Sequence, residues 1–145
     1  MTISRFSGKH AFLSNFYLCE VTYDGGDYPS VEHAYQAAKA IDPQERLEIA
    51  RCSTPARAKR LGQRVKMYNE WDQMKLDVML VLLSRKFVRE RALWLVGTHP
   101  EELIEGNNGH DNFWGTCVCE QCGNRGYNHL GKLLMVVRDQ LMKGK

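Results

Sequence analysis

The sequence predicts a mainly α-helical fold with a short β-hairpin near its N-terminus, and three observations carry that reading. Apolar residues recur at every third or fourth position after Ser30, Asn69 and Asn128, the period of a helix with one buried face. Asp42-Pro43 and Thr54-Pro55 each place a capping side chain before a proline at the first helical position. The β-prone run from Leu18 to Tyr23 leads into Asp24-Gly25-Gly26-Asp27, whose glycines permit the positive φ angles of a tight turn.

Taken in order, the return arm of the hairpin ends quickly at Tyr28-Pro29. Ser30 then caps a helix whose apolar stripe is Val31, Ala34, Tyr35, Ala38 and Ile41. Asp42 opens a second helix, with Glu45 placed to complete a capping box, and Thr54 opens a third that stops near Gly62. Asn69 is the expected cap of the longest helix, in which Trp71, Met74, Val78 and Leu82 keep the period while Met79, Val81 and Leu83 widen the apolar surface. A further turn or two through Ala92 to Leu95 ends at Gly97, with Pro100 soon after, and Glu102 to Glu105 reads as a brief strand. From Gly106 to Gly126 the five glycines, four asparagines and three cysteines argue for ordered loop. Asn128 is the expected cap of a last helix striped by Leu130, Leu133, Leu134, Val137 and Leu141.

A chain of 145 residues suits a single domain spanning 1–145. Its 43% hydrophobic and 26% charged residues are those of an ordinary globular protein, which sets aside the disordered and fibrous classes. The net charge of +3 suits a phosphate-bearing partner without requiring one. Arg51, Arg57, Lys59, Arg60, Arg64 and Lys66 form a basic stretch with no acidic residue inside it, read either as a solvated helix face or as a phosphate or nucleic-acid surface. The N-terminus lacks the apolar run of a signal peptide, and no stretch approaches the ~20 apolar residues of a membrane span. A cytoplasmic location with no membrane partner is the expectation, and five cysteines, an odd number, are expected to be reduced thiols.

Three constellations can carry chemistry. Glu32 and Lys39, seven residues apart, project from nearly one helix face with about 10 Å between backbone positions, and a lysine stem leans back toward the helix N-terminus. Such a pair is either an exposed salt-bridged face or an acid and a nucleophile flanking a sugar. Asp111-Asn112-Phe113-Trp114-Gly115 offers stacking rings and edge hydrogen bonds suited to a flat base, against the alternative of a core tryptophan. Cys117-x-Cys119-x-x-Cys122 has thiolate spacing for zinc, with His110 or His129 available as a fourth donor, or else the thiols are unliganded. His10, His33 and His99 read as surface or satisfied core residues.

Phe12-Leu13-Ser14-Asn15-Phe16-Tyr17, followed by Tyr28-Pro29-Ser30-Val31-Glu32-His33-Ala34-Tyr35-Gln36-Ala37-Ala38-Lys39, resembles the opening motifs of the NADAR, or YbiA-like, family. Ala58 to Gly62 with Arg64-Val65, Trp71, Lys86-Phe87, Leu103-Ile104-Glu105, Asp111 with Phe113-Trp114-Gly115, and Gly126-x-Asn128-x-Leu130-Gly131 with Arg138 follow in that family's order. Ser30 stands where threonine is common; either caps a helix.

The resemblance implies a compact orthogonal helical bundle and an N-glycosidase activity. It implies hydrolysis of ADP-ribose from ADP-ribosylated guanosine or nucleic acid, or, alternatively, cleavage of the ribosylamino-pyrimidine phosphates of riboflavin synthesis. By position, Lys39 would attack the ribose C1'' to form a Schiff-base-type intermediate and Glu32 would shuttle protons. Asp111 and Trp114 would position base and ribose, Asn15, Arg64 and Asn128 would bind ribose, pyrophosphate or base, and Phe16, Tyr35, Trp71 and Gly115 would complete the substrate site. No cofactor is required for this chemistry, and zinc at Cys117, Cys119 and Cys122 would be structural. The alternative of another class is a catalytically silent module that binds ADP-ribose or NAD.

Overall fold

The computed structural model of the chain describes residues 1–144, which fall into two units: Asn15–Lys86, and Met1–Ser14 with the chain from Phe87 onward. In chain order the elements are β1 (Thr2–Ile3), a 3-10 helix (Gly8–Leu13), β2 (Val21–Tyr23), β3 (Gly26–Tyr28), α1 (Val31–Ala38), α2 (Pro43–Ala50), α3 (Pro55–Gly62), α4 (Trp71–Lys86), α5 (Arg89–Val96), β4 (Glu102–Leu103), β5 (Gly106–Asn107), β6 (Thr116–Cys117) and α6 (His129–Lys143). Helix dominates, and the strands are ribbons of two or three residues.

In the unit formed by Asn15–Lys86, α1 is the hub on which α2, α3, α4 and the β2–β3 ribbon pack. It buries Val31, Ala34, Tyr35 and Ala37, and also Glu32, His33 and Gln36, so it is a core helix that carries polar groups inward. Buried polar groups need partners, and Ser30 supplies several at once. Its backbone is extended at φ −164° and ψ 163°, and its Oγ accepts the His33 N–H at 3.0 Å while lying 2.7 Å from His33 Nδ1. The other face of the ring meets the Cys52 carbonyl at 3.0 Å. A carbonyl only accepts, so Nε2 carries the hydrogen and Nδ1 accepts from the serine hydroxyl. His33 is thereby a satisfied, neutral core histidine, and burial lowers its pKa from the ordinary value.

Asp42 and Thr54 open α2 and α3 in the same way, accepting the Gln44 N–H at 2.9 Å and the Arg57 N–H at 3.1 Å, each followed by proline. The expected capping box at Glu45 does not close: among the described residues its Oε1 is without a hydrogen-bond partner, and the Asp42 side chain serves the helix start. Asn69 does not cap α4 either. Trp71 N–H is taken by the Tyr68 carbonyl at 3.1 Å, and Gln73 and Met74 N–H groups by Glu70 at 2.9 and 3.1 Å.

Two more expectations are corrected by packing. The first helix stops at Ala38, and Ile41 is 40% exposed instead of closing the apolar stripe. Asp42 must be extended before Pro43, and Ala40 bridges to Met67 while Ile41 N–H bonds to Lys66 at 3.1 Å, drawing the chain off the helical path. In α4, Val78, Met79, Leu82 and Leu83 are buried, but Val81 is 40% exposed and faces away from them. The β2–β3 ribbon pairs Val21 with Tyr28, both buried, across a turn in which Asp24 and Gly25 have φ of 48° and 81°.

In the other unit, α6 packs on α5 and β4, and β1 runs parallel to β4 with Ile3 opposite Leu103. Ile3, Phe6, Leu13, Leu95, Leu103, Leu130, Leu134 and Val137 form its core. Buried Arg138 bonds the Thr98 hydroxyl and the Glu101 carbonyl, both at 2.9 Å, tying α6 to the chain that follows α5. The glycine-rich segment folds as loop around the parallel pair β5–β6. Among the described residues no helix is long and apolar enough to cross a membrane.

Candidate active site

In the Asn15–Lys86 unit, Glu32 lies in the first turn of α1 and Lys39 is its C-terminal cap residue, still in the helical region at φ −80° and ψ −13°. Lys39 therefore continues the helical path, and the seven-residue spacing keeps both on one face. Glu32 is only 8% exposed, which rules out the exposed salt-bridged face. Its Oε2 accepts Gln36 Nε2 at 2.6 Å, one turn along the helix, and its backbone N–H is taken by the Asn15 carbonyl at 3.0 Å. Burial pushes the Lys39 ammonium below the usual lysine range; the Glu32 carboxylate pulls it back and the nearby Lys75 charge pushes it down again.

Gln36 owes its position to a glycine. A Cβ on Gly62 would run into the Gln36 side chain, so α3 approaches α1 only because residue 62 has none. Asn15 is buried beside this helix, with Nδ2 3.7 Å from Met79 Sδ and with Oδ1 unpartnered among the described residues. A buried acceptor left without a donor is costly and marks a place where a ligand can serve. Tyr35 packs on Trp71 with ring centroids 5.3 Å apart, and both are buried. Phe16 and Arg64 are exposed, and so are Arg51, Arg57, Lys59, Arg60 and Lys66, an exposure that a solvated face and a phosphate surface share.

In the other unit, Asp111, Trp114, Gly115 and Asn128 belong to one hydrogen-bonded turn. Asp111 Oδ1 accepts the N–H groups of Phe113 at 3.2 Å and Trp114 at 3.0 Å, while Asn107 holds the Asp111 backbone from both sides. The Phe113 ring meets Trp114 edge-on at 4.8 Å. Gly115 passes so close to the Glu105 carbonyl that no Cβ fits. Asn128 stands at the start of α6 but does not cap it with its side chain: it is left-handed, at φ 54° and ψ 41°. Its amide instead clamps β4 and the residue that precedes β5, donating to the Leu103 carbonyl and accepting the Glu105 N–H, each at 2.9 Å. The helix start is capped by backbone, since Gly115, Phe113 and Trp114 carbonyls receive the N–H groups of Asn128, His129 and Leu130 at 3.1, 3.1 and 2.8 Å. The Phe-Trp-Gly turn is thus fastened to α6.

The model of the NADAR domain matches residues 4–142. The chain belongs to the NADAR family. Within that family it is 37% identical to the N-glycosidase YbiA of Escherichia coli over 93% of this chain and 84% of that protein. It is 34% identical to a riboflavin biosynthesis protein of Vibrio vulnificus, again over 93% of this chain, which spans only 36% of that longer protein. The NMR structure of Escherichia coli YbiA superposes with a TM-score of 0.83 at 33% identity, covering 99% of this chain and 85% of that one.

Sequence reasoning passed over Gln36 and Lys75 in this NADAR site. Gln36 stands four residues after Glu32, a spacing that was available to find it. Lys75 acts on Lys39 from another helix, which no local pattern shows.

Proposed function

We propose that the chain releases ADP-ribose from ADP-ribosylated guanine, in nucleosides or nucleic acid, through a covalent ribosyl adduct on Lys39. Its enzyme class, a hydrolase acting on N-glycosyl bonds, is that of its relatives named N-glycosidases. The observation that carries the mechanism is the pairing on one helix face of Lys39, whose burial favours the neutral amine, with a carboxylate held out of water.

The Lys39 Nζ lone pair attacks C1'', the bond from C1'' to the base nitrogen breaks, and that nitrogen keeps the electron pair. The proton lost by Nζ passes through Glu32 to the departing base, so Glu32 is base and then acid in one step. The nitrogen lone pair of the adduct next expels the ring oxygen, which takes a proton from a water molecule, to give an iminium. The hydroxide left from that water adds to the iminium carbon, its proton passes to Nζ as the C–N bond breaks, and ADP-ribose leaves in its open aldehyde form with Lys39 free. In the other unit, Trp114 presents a flat ring of the kind that stacks on a base, with Asp111 fixing its backbone. Asn15 Oδ1 accepts from a ribose hydroxyl, and the exposed Arg64 guanidinium suits pyrophosphate. Asn128 serves through the clamp that holds the turn.

A second reading, the ribosylamino-pyrimidine phosphates of riboflavin synthesis, is favoured by the Vibrio relative's name. It uses the same bond chemistry on a smaller leaving group. Incubation with ADP-ribosylated guanosine, ADP-ribosylated DNA and a ribosylamino-pyrimidine phosphate, with detection of the released sugar, separates the two. Tight ADP-ribose binding with no release from any of the three would overturn both in favour of a binding module.

A further inference from the structure

The loop that carries the Phe-Trp-Gly turn also gathers His110, Cys117, Cys119 and Cys122, whose ligand atoms all lie within 4.8 Å of one another. His110 Nδ1 is 3.7 Å from Cys117 Sγ, 3.6 Å from Cys119 Sγ and 3.4 Å from Cys122 Sγ. An imidazole nitrogen has one hydrogen or one lone pair and so serves one hydrogen-bond partner. Near-equal distances to three sulfurs are instead the edges of a tetrahedron. With zinc bonds of about 2.3 Å to sulfur and about 2.0 Å to nitrogen, those edges come to roughly 3.5 Å.

We propose that His110, Cys117, Cys119 and Cys122 hold one structural zinc ion that pins the loop presenting Asp111 and Trp114. The backbone is shaped for it. Cys122 N–H points at Cys119 Sγ at 3.4 Å, a bond that stabilises a thiolate, and the turn is completed by Gly123 at φ 65° with its N–H on the Cys119 carbonyl at 2.9 Å. His110, itself a ligand, and Asn124, two residues beyond Cys122, adopt the left-handed region at φ 64° and 59°, bending the chain around the cluster. Cys117 N–H is anchored by Asn112 Oδ1 at 2.8 Å, and Asn124 N–H by the Cys117 carbonyl at 3.0 Å. Three thiolates and a neutral imidazole leave the site one negative charge, and Arg125, whose Nε donates to the Cys122 carbonyl at 3.3 Å, sits beside it. Mixed sulfur and nitrogen donors in a tetrahedron select zinc, and four protein ligands leave no open position for catalysis. His129, the other histidine in reach by sequence, lies against the Phe113 and Tyr127 rings, at 4.5 and 5.4 Å between centroids.

The test uses the full chain purified under reducing conditions, with zinc content measured by elemental analysis and with cobalt(II) titrated into chelator-treated protein. The expected results are one zinc per chain and the red-region absorption of a tetrahedral thiolate cobalt site, bleached by added zinc. Cys119→Ser and His110→Ala each lose tight binding, whereas Cys19→Ser and Cys52→Ser keep it. Reduced wild-type chain that takes up neither metal would overturn the proposal, as would binding unaffected by Cys119→Ser. None of these readouts uses turnover, so they fail or succeed independently of the N-glycosidase reading.

Discussion

Gln36 Nε2 donates to Glu32 Oε2 across one turn of α1 at 2.6 Å, and Gln36 is itself held against α3 by the absence of a side chain at Gly62. Helix packing, the glutamine and the acid form one chain of cause. Gly62→Ala is expected to displace Gln36, lower stability by about 1–3 kcal/mol and lower kcat with it. Gln36→Leu is expected to lower kcat by about 10- to 100-fold, the value of a hydrogen bond to a charged group. Thermal melts and steady-state kinetics check both; wild-type kcat in both variants would detach Gln36 from the chemistry.

The nucleophile must be a neutral amine, and Lys39 ionises below the ordinary lysine range because it is buried. Activity is therefore expected to rise with pH along a limb that lies below about 10.4. Removing the Lys75 charge with Lys75→Met relieves repulsion on the Lys39 ammonium, so the limb moves to higher pH. A pH profile of kcat/KM for the two proteins measures the shift, and movement to lower pH would reverse the assigned sign.

Asn128 is the third test. Asn128→Ala removes two backbone clamps and places alanine at φ 54°, for an expected loss of about 2–4 kcal/mol. If the clamp is its role, the melting temperature falls while KM of the protein that remains folded changes little. A large rise in KM at unchanged melting temperature would make Asn128 a direct substrate contact.

His33 ties the fold to pH. Its neutral ring joins Ser30 to Cys52, and its pKa is lowered from 6.5 by burial. The folded value is depressed, so the stability it contributes is present above pH 6.5 and is lost as pH falls through the folded pKa. Melting temperatures between about pH 4 and 8 are expected to fall on the acid side, less steeply in His33→Gln. An identical slope in the two proteins would remove His33 from the account.

The helices that start with Ser30, Asp42 and Thr54 were legible because a short polar side chain before the first turn states its own function. Asn69 and Asn128 carry the same signal and mislead. In the first the preceding backbone does the capping, and in the second a left-handed backbone turns the amide toward β4 and Glu105. The spacing of Glu32 and Lys39 was legible, but the burial of Glu32 and the partial burial of Lys39 were not, since α1 is enclosed by α2, α3, α4 and the ribbon packing on it. Motif order carried the family, which a match over residues 4–142 then bears out. The choice of His110 over His129 beside the cysteines depended on a left-handed turn at His110 that composition does not encode.

The covalent role of Lys39 is tested most directly by adding borohydride during turnover of ADP-ribosylated guanosine and mapping the adduct by peptide mass spectrometry. Reduction of the iminium is expected to leave a stable ribosyl adduct on Lys39, absent in Lys39→Ala, which releases no ADP-ribose although it folds. Full release by Lys39→Arg with no adduct on the wild-type chain would contradict the mechanism.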